Sequence, residues 1–200
     1  MPEISLTDFV DFVIKAGTPK LTKVREVKNR KPYEPAFDFW KRLREGIADF
    51  HRNGGTDKSR LDDIVDTLTD RKKVNRYPAA LAAYKRFLGR KKVKWFDPKR
   101  GVWSHGGLDV RVNPELGLEI DGTLYVVKLY FKDESPSKNR VDVVLAMLED
   151  VVGTQAPKGS VMAVLDIANA KLLCPPNPEP KLMALMQGEA RSFVEIWKSI

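Results

Sequence analysis

The dipeptide Asp121-Gly122 stands between two runs of β-forming residues, Leu116 to Ile120 and Leu124 to Phe131, and no other short feature constrains the chain as much. A two-residue Asp-Gly loop takes positive φ at both positions and matches the right-handed twist of paired strands, so the spacing predicts a β-hairpin. Side chains alternate along a strand. Glu115, Gly117 and Glu119 therefore share one face of the first strand, with Leu116, Leu118 and Ile120 on the other. In the second strand Val126, Lys128 and Tyr130 alternate with Val127, Leu129 and Phe131. A lysine in so apolar a strand requires a partner, because burying an unpaired ammonium is costly. The nearest carboxylates lie across the hairpin, which makes Glu115 and Lys128 the first candidate site.

The flanking sequence predicts a mixed α/β fold. Leu6, Phe9, Val10, Val13 and Ile14 recur at helical steps, with Ser5 and Thr7 available as caps, and Gly17-Thr18-Pro19 ends that helix. Residues 20–31 read as a basic, poorly patterned connector. Pro35 introduces an amphipathic helix through Phe37, Trp40, Leu43, Ile47 and Phe50, closed by Asn53-Gly54-Gly55. Shorter helices are expected at Asp57 to Leu68 and Tyr77 to Leu88, which makes residues 1–92 an all-helical region. Strands begin near Val93, continue through Val102-Trp103, and include Leu108 to Val112 before the hairpin. A helix after Ser135-Pro136-Ser137 leads to the nearly continuous apolar run Val161 to Leu165, the pattern of a central strand buried on both faces. Lys171-Leu172-Leu173 adds a short strand, and Leu182 to Trp197 a terminal helix. Residues 93–200 thus form an α/β core, in which the helix after Lys132 serves as a crossover between strands of a mixed sheet.

Charge narrows the partners. The chain of 200 residues carries 35 Lys and Arg against 27 Asp and Glu, a formal charge of +8 that favours an acidic partner such as nucleic acid. The positive residues are clustered. One cluster runs through Lys20, Lys23, Arg25, Lys28, Arg30 and Lys31; a second contains Lys72, Lys73, Arg76, Lys91, Lys92 and Lys94. The second, with Trp95 beside it, is the expected nucleic-acid contact surface. Cys174 is the sole cysteine, which rules out an intramolecular disulfide and a thiolate zinc site and fits a reducing, cytoplasmic setting. No apolar run approaches the roughly 20 residues needed to span a bilayer.

Neither His51 nor His105 has metal-ligand spacing, so both are expected to be structural or superficial. Ser104 lacks the Gly-x-Ser-x-Gly context of a nucleophile, and the paired glycines lack that of a phosphate loop. Phe37, Phe39, Trp40 and Phe50 are expected in the core rather than as a base-stacking platform.

With Pro114-Glu115 on one strand, Lys128 on the next and a crossover helix after them, the chain resembles the PD-(D/E)XK, or restriction-endonuclease-like, nuclease superfamily over about residues 100–170. The resemblance implies a core of helix, three-strand meander, crossover helix and further strand, here with an N-terminal helical extension. It also implies an acid on the second strand, for which Glu115 stands, and a lysine on the third, for which Lys128 stands. Val126 occupies the place of the family's second acid. Some relatives carry that acid on the following helix, where Asp142 would serve, and others add a glutamate from the first helix, where Glu45 is the candidate. On this pattern Glu115 and Asp142 would hold Mg²⁺ against a scissile phosphate, and Lys128 would orient water or stabilise developing charge. The expected function is nucleic-acid binding, DNA favoured over RNA, with Mg²⁺-dependent phosphodiester hydrolysis as its most concrete form. The alternatives are a binding module whose active site has decayed, as Val126 suggests, and an interaction protein using the helices at Leu6 to Ile14 and Phe193 to Trp197.

Overall fold

The computed structural model describes residues 1–31, 34, 38–66, 68–175 and 181–200. In chain order the elements are β1 (Glu3–Ser5), α1 (Leu6–Val13), α2 (Thr18–Lys28), α3 (Lys41–Arg52), a 3-10 turn at Lys58–Leu61, α4 (Asp63–Asp66) and α5 (Arg71–Leu88). These are followed by β2 (Val93–Phe96), β3 (Gly101–His105), β4 (Leu108–Val112), β5 (Leu116–Ile120) and β6 (Thr123–Tyr130). The chain continues with α6 (Lys138–Val152), β7 (Val161–Asp166), β8 (Lys171–Leu173) and α7 (Leu182–Ser199). The fold is mixed α/β.

The hairpin forms as its turn dictates. Asp121 and Gly122 take φ of 49° and 89°, and β5 pairs antiparallel to β6 with Leu116 opposite Val127. The main sheet has the order β2-β5-β6-β7-β8, in which only the β6–β7 pair, joined through α6, is parallel. Its faces separate two cores. Val126, Met162 and Val164 pack with α1, α6 and α7 on one side; Val127, Leu129, Ala163 and Leu165 pack with α3 and α5 on the other. The apolar run of β7 is buried between β6 and β8, as its composition demands.

Four sequence expectations are corrected. The strand paired with β5 is β2, whereas β3 and β4 leave the main sheet and form a second one with β1, in the order β1-β4-β3. Residues 1–92 are therefore not all helical, since Ile4 in β1 pairs parallel to Val110. The connector at 20–31 is largely helix α2, opened by Pro19 in its first turn and anchored by the buried Val24 and Lys23. Helix α5 starts six residues before Tyr77, because the Asp70 carboxylate accepts the N–H groups of Lys72 and Lys73 and caps it. The expected helix start at Pro35 to Phe37 lies outside the described residues.

Both cores draw on residues from either side of position 92: Phe9, Phe12 and Val24 join Val126 and Phe193 in one, and Leu43, Leu81 and Tyr84 join Leu118 and Leu165 in the other. Most apolar residues of α1 and α7, candidates for protein contact in the sequence, pack within the chain, while Ile14 and Leu185 remain exposed. Among the described residues no helix is long and apolar enough to cross a membrane.

Candidate functional site

The Glu115 N–H donates to the Val127 carbonyl at 3.0 Å, extending the β5–β6 ladder by one residue. Glu115 therefore stands directly opposite Lys128, on the sheet face that also carries Val126 and Tyr130. The Lys128 ammonium donates to Glu115 Oε1 at 2.5 Å and to the Asn113 carbonyl at 2.9 Å. Glu115 Oε2 accepts the Leu129 N–H at 2.8 Å. Both carboxylate oxygens are thus engaged. Arg44 of α3 brings its Nε to 3.9 Å from Glu115 Oε1 while its guanidinium nitrogens fork onto Asp38 at 2.6 and 3.2 Å.

This pair lies in the floor of a groove of about 1350 Å³ that runs past the C-terminal end of β6, between α1 and α2 on one side and α3 on the other. Openings at the carboxyl ends of strands are where α/β sheets commonly receive ligands. Lys128, Lys132 and Arg140 face it from the sheet and α6, Arg30 and Lys31 from the end of α2, and Lys41, Arg44 and Arg52 from α3; Arg100 and Arg111 complete its basic lining. Among the described residues ten Lys or Arg line it against eight Asp or Glu. The acids at its base are consumed internally, whereas Lys31, Arg100 and one acid, Glu34, are exposed and, among the described residues, make no ion pair.

Asp8 shows how the base of the groove is built. Its carboxylate accepts from the Ser5 hydroxyl at 2.7 Å, from Lys23 at 3.0 Å and from both Arg30 terminal nitrogens at 2.9 Å. Burial alone would raise its pKa, but the hydrogen bonds from Arg30, Ser5 and Lys23 outweigh it and hold the group well below the ordinary carboxylate range. Asp11, one helical turn on, is likewise lowered: burial opposes ionisation, and Arg140 at 2.6 Å and Lys132 at 3.2 Å overcome it. These bridges tie α1 to α2, to α6 and to the end of β6.

The other sequence candidates lie elsewhere. Asp142 is buried on α6 and accepts from Lys138 at 2.5 Å, one helical turn away. The residues of α6 that line the groove are Arg140, Val141 and Val144, and the 100° rotation per residue carries Asp142 away from them. Asp142 and Glu115 are therefore not brought together. Glu45 does line the groove, yet its side chain is 62% exposed and faces Lys41 at 3.6 Å. Val126 is buried in the core. Lys72, Lys73 and Arg76 occupy the first turns of α5, where Arg76 pairs with Asp133 at 2.9 Å. Lys91, Lys92 and Lys94 sit at the hairpin-turn end of the sheet: the Lys92 N–H donates to Asp121 at 2.9 Å, Lys94 meets Glu119 at 2.8 Å, and Lys91 donates to the Phe87 carbonyl. Six residues of strand separate Asp121 from Glu115, about 20 Å. None of these six cations lines the groove.

His51 is buried in the core between α3 and α5, with Nε2 at 2.6 Å from the Tyr84 hydroxyl, and burial pushes its pKa down to about 4. It is neutral and structural. His105, half-buried, stacks on Trp103.

Mg²⁺ requires several oxygen ligands, ordinarily including one or two carboxylates with free lone pairs. Near Glu115 the other acids are committed, Asp38 to Arg44 and Glu45 to Lys41, and Glu115 itself holds Lys128 and the Leu129 N–H. Among the described residues no group of three His, Cys, Asp or Glu side chains could hold a metal ion. The donor set around Glu115 does not fit Mg²⁺.

Comparison with protein-family models finds no match to this chain, and comparison with curated proteins finds none.

Proposed function

We propose that the protein is a nucleic-acid-binding protein, DNA favoured over RNA, whose groove at the end of β6 carries the ligand. The observation that carries this reading is the basic lining of that groove, with Lys31 and Arg100 unpaired at its rim among the described residues, in a chain of charge +8. Such cations displace counterions from a phosphate backbone, the main source of affinity for nucleic acid. The kinship to PD-(D/E)XK nucleases is part of the same proposal. It is supported by the antiparallel order β2-β5-β6, interrupted in the chain by β3 and β4, followed by α6 and the parallel strand β7. In this reading Glu115 and Lys128 lock the floor of the groove. The lone Cys174 supports a reducing, cytoplasmic setting.

Hydrolysis is the second reading, favoured by the 2.5 Å approach of Lys128 to Glu115. Among the described residues it lacks a group of three acidic, histidine or cysteine side chains that could hold a metal.

Fluorescence anisotropy with labelled DNA, titrated with salt, tests the binding. Lys31→Glu and Arg100→Glu should each weaken binding and flatten the salt slope by about 1. Charge reversal at Lys91, Lys92 and Lys94 should leave affinity unchanged, and the opposite pattern would move the interface to the hairpin-turn end of the sheet. DNA incubated with Mg²⁺ or Mn²⁺ should stay intact. Cleavage abolished by Lys128→Ala would reinstate the hydrolytic reading.

A further inference from the structure

Three aromatic rings form a row that reaches the groove. The Trp40 ring lies near-parallel to Tyr77, at 5.5 Å and 12°, and to Phe131, at 4.7 Å and 14°. Tyr77 is fully buried and donates its hydroxyl hydrogen bond to the Phe39 carbonyl, which anchors the row in the core. Trp40 and Phe131 are half-buried and line the groove. Phe131 is thus the end ring of the row; it stands just beyond the end of β6, adjacent to Lys132 and in the opposite register from Lys128. Its position is set by the rings behind it, so a planar ligand that stacks there would lose little freedom in ordering the protein. The groove, at about 1350 Å³, exceeds the 300–1,000 Å³ typical of small-molecule pockets and suits an extended ligand.

We propose that the groove takes a single-stranded nucleic acid, with its phosphates on the surrounding lysines and arginines and one base stacked on Phe131. This rests on the reading that the groove binds nucleic acid at all. Cations answer to phosphates in duplex and single strand alike, but a duplex hides its base faces within its own stack. Only an unpaired base can offer a face to Phe131, and it does so whatever its identity. The row of rings would be wasted on a duplex.

The decisive comparison is between an oligothymidylate, an abasic strand of the same length and a duplex, each measured by anisotropy against the full chain at one salt concentration. The abasic strand keeps every phosphate and removes every base. The oligothymidylate should bind ~5- to ~100-fold more tightly than the abasic strand, the range expected for stacking one base, and more tightly than the duplex. Phe131→Leu should close the gap between the two single strands without changing abasic binding, whereas Phe131→Tyr should preserve it. Equal binding of the two strands, tighter duplex binding, or a gap that survives Phe131→Leu would overturn the stacking proposal while leaving the groove as a phosphate-binding site. Binding of none of the three would overturn the nucleic-acid reading with it. Should Phe131→Leu fail to fold, the comparison of strands on the native chain and on Phe131→Tyr still decides.

Discussion

Replacing Lys128 by Met tests whether the Glu115–Lys128 pair holds the floor of the groove. The side chains are 17% and 14% exposed, so solvent screens the pair only in part. The substitution removes two hydrogen bonds of a charged donor, to Glu115 at 2.5 Å and to the Asn113 carbonyl at 2.9 Å. It leaves Glu115 with the Leu129 N–H and with Arg44 at 3.9 Å, so the carboxylate is not stranded. Charge-assisted bonds contribute about 1.5–3 kcal/mol each, and the residual partners and the retained methylene stem offset part of that loss. The expected cost is about 2–3 kcal/mol. Glu115→Leu should cost more, about 3–4 kcal/mol, because it leaves a partly buried ammonium with one carbonyl and takes the acceptor from the Leu129 N–H. The double variant should cost less than the two single losses together, by a coupling of about 1–3 kcal/mol. Urea denaturation of the four proteins, with midpoints compared at unchanged slope, measures each term. A Lys128→Met variant as stable as the native protein, or a coupling near zero, would refute a structural role for the pair.

Two further outcomes follow from buried ionisable groups. Because burial lowers the His51 pKa from 6.5 to about 4, the unfolded chain binds more protons between those values. The neutral ring's stability contribution is full above pH 6.5 and falls toward pH 4 by about 3 kcal/mol; denaturation midpoints against pH should show this slope, and His51→Gln should flatten it. Asp8→Asn should cost about 1–3 kcal/mol by weakening the charge-assisted bonds to Lys23 and Arg30, Lys23 keeping Glu26 at 3.3 Å and Asp11 at 3.9 Å; in the native protein the Asp8 contribution is full above the unfolded carboxyl pKa of 3.8 and is lost only as pH falls below it, so the two groups separate in an acid titration.

The contrast between α1 and α2 explains what could be read from residues alone. In α1, Leu6, Phe9 and Val10 mark a buried face by spacing, with Ser5 as its cap, and all of this is local. In α2 the inward positions are Lys23 and Val24, and a lysine points inward only because Asp8, 15 residues earlier, receives it. No periodicity carries that information. The same limit hid the pairing of β5. Its pattern foretold a hairpin with β6 and set Glu115 against Lys128, but its other neighbour depends on β3 and β4 folding away with β1. Gly117 belongs to that pairing, since a Cβ there would lie 2.3 Å from the Phe96 carbonyl of β2, and the sequence shows it only as a glycine in a strand. The groove was legible through Glu115 and Lys128 and, in its rim, only through Arg30 and Lys31 at the end of the first basic cluster. Arg44, Arg100 and Lys132 are scattered along the chain, whereas the dense lysines at positions 91–94 drew attention to the far end of the sheet.

The pairing of Ile4 with Val110 bears on how the molecule is made. As the chain leaves the ribosome, β1 and α1 are made well before several of the residues that receive them: Ile4 waits for Val110, Phe9 for Trp103 and Phe12 for Phe193. Contacts so distant along the chain form slowly. The groove wall built on α1 therefore waits on β4 before it can close.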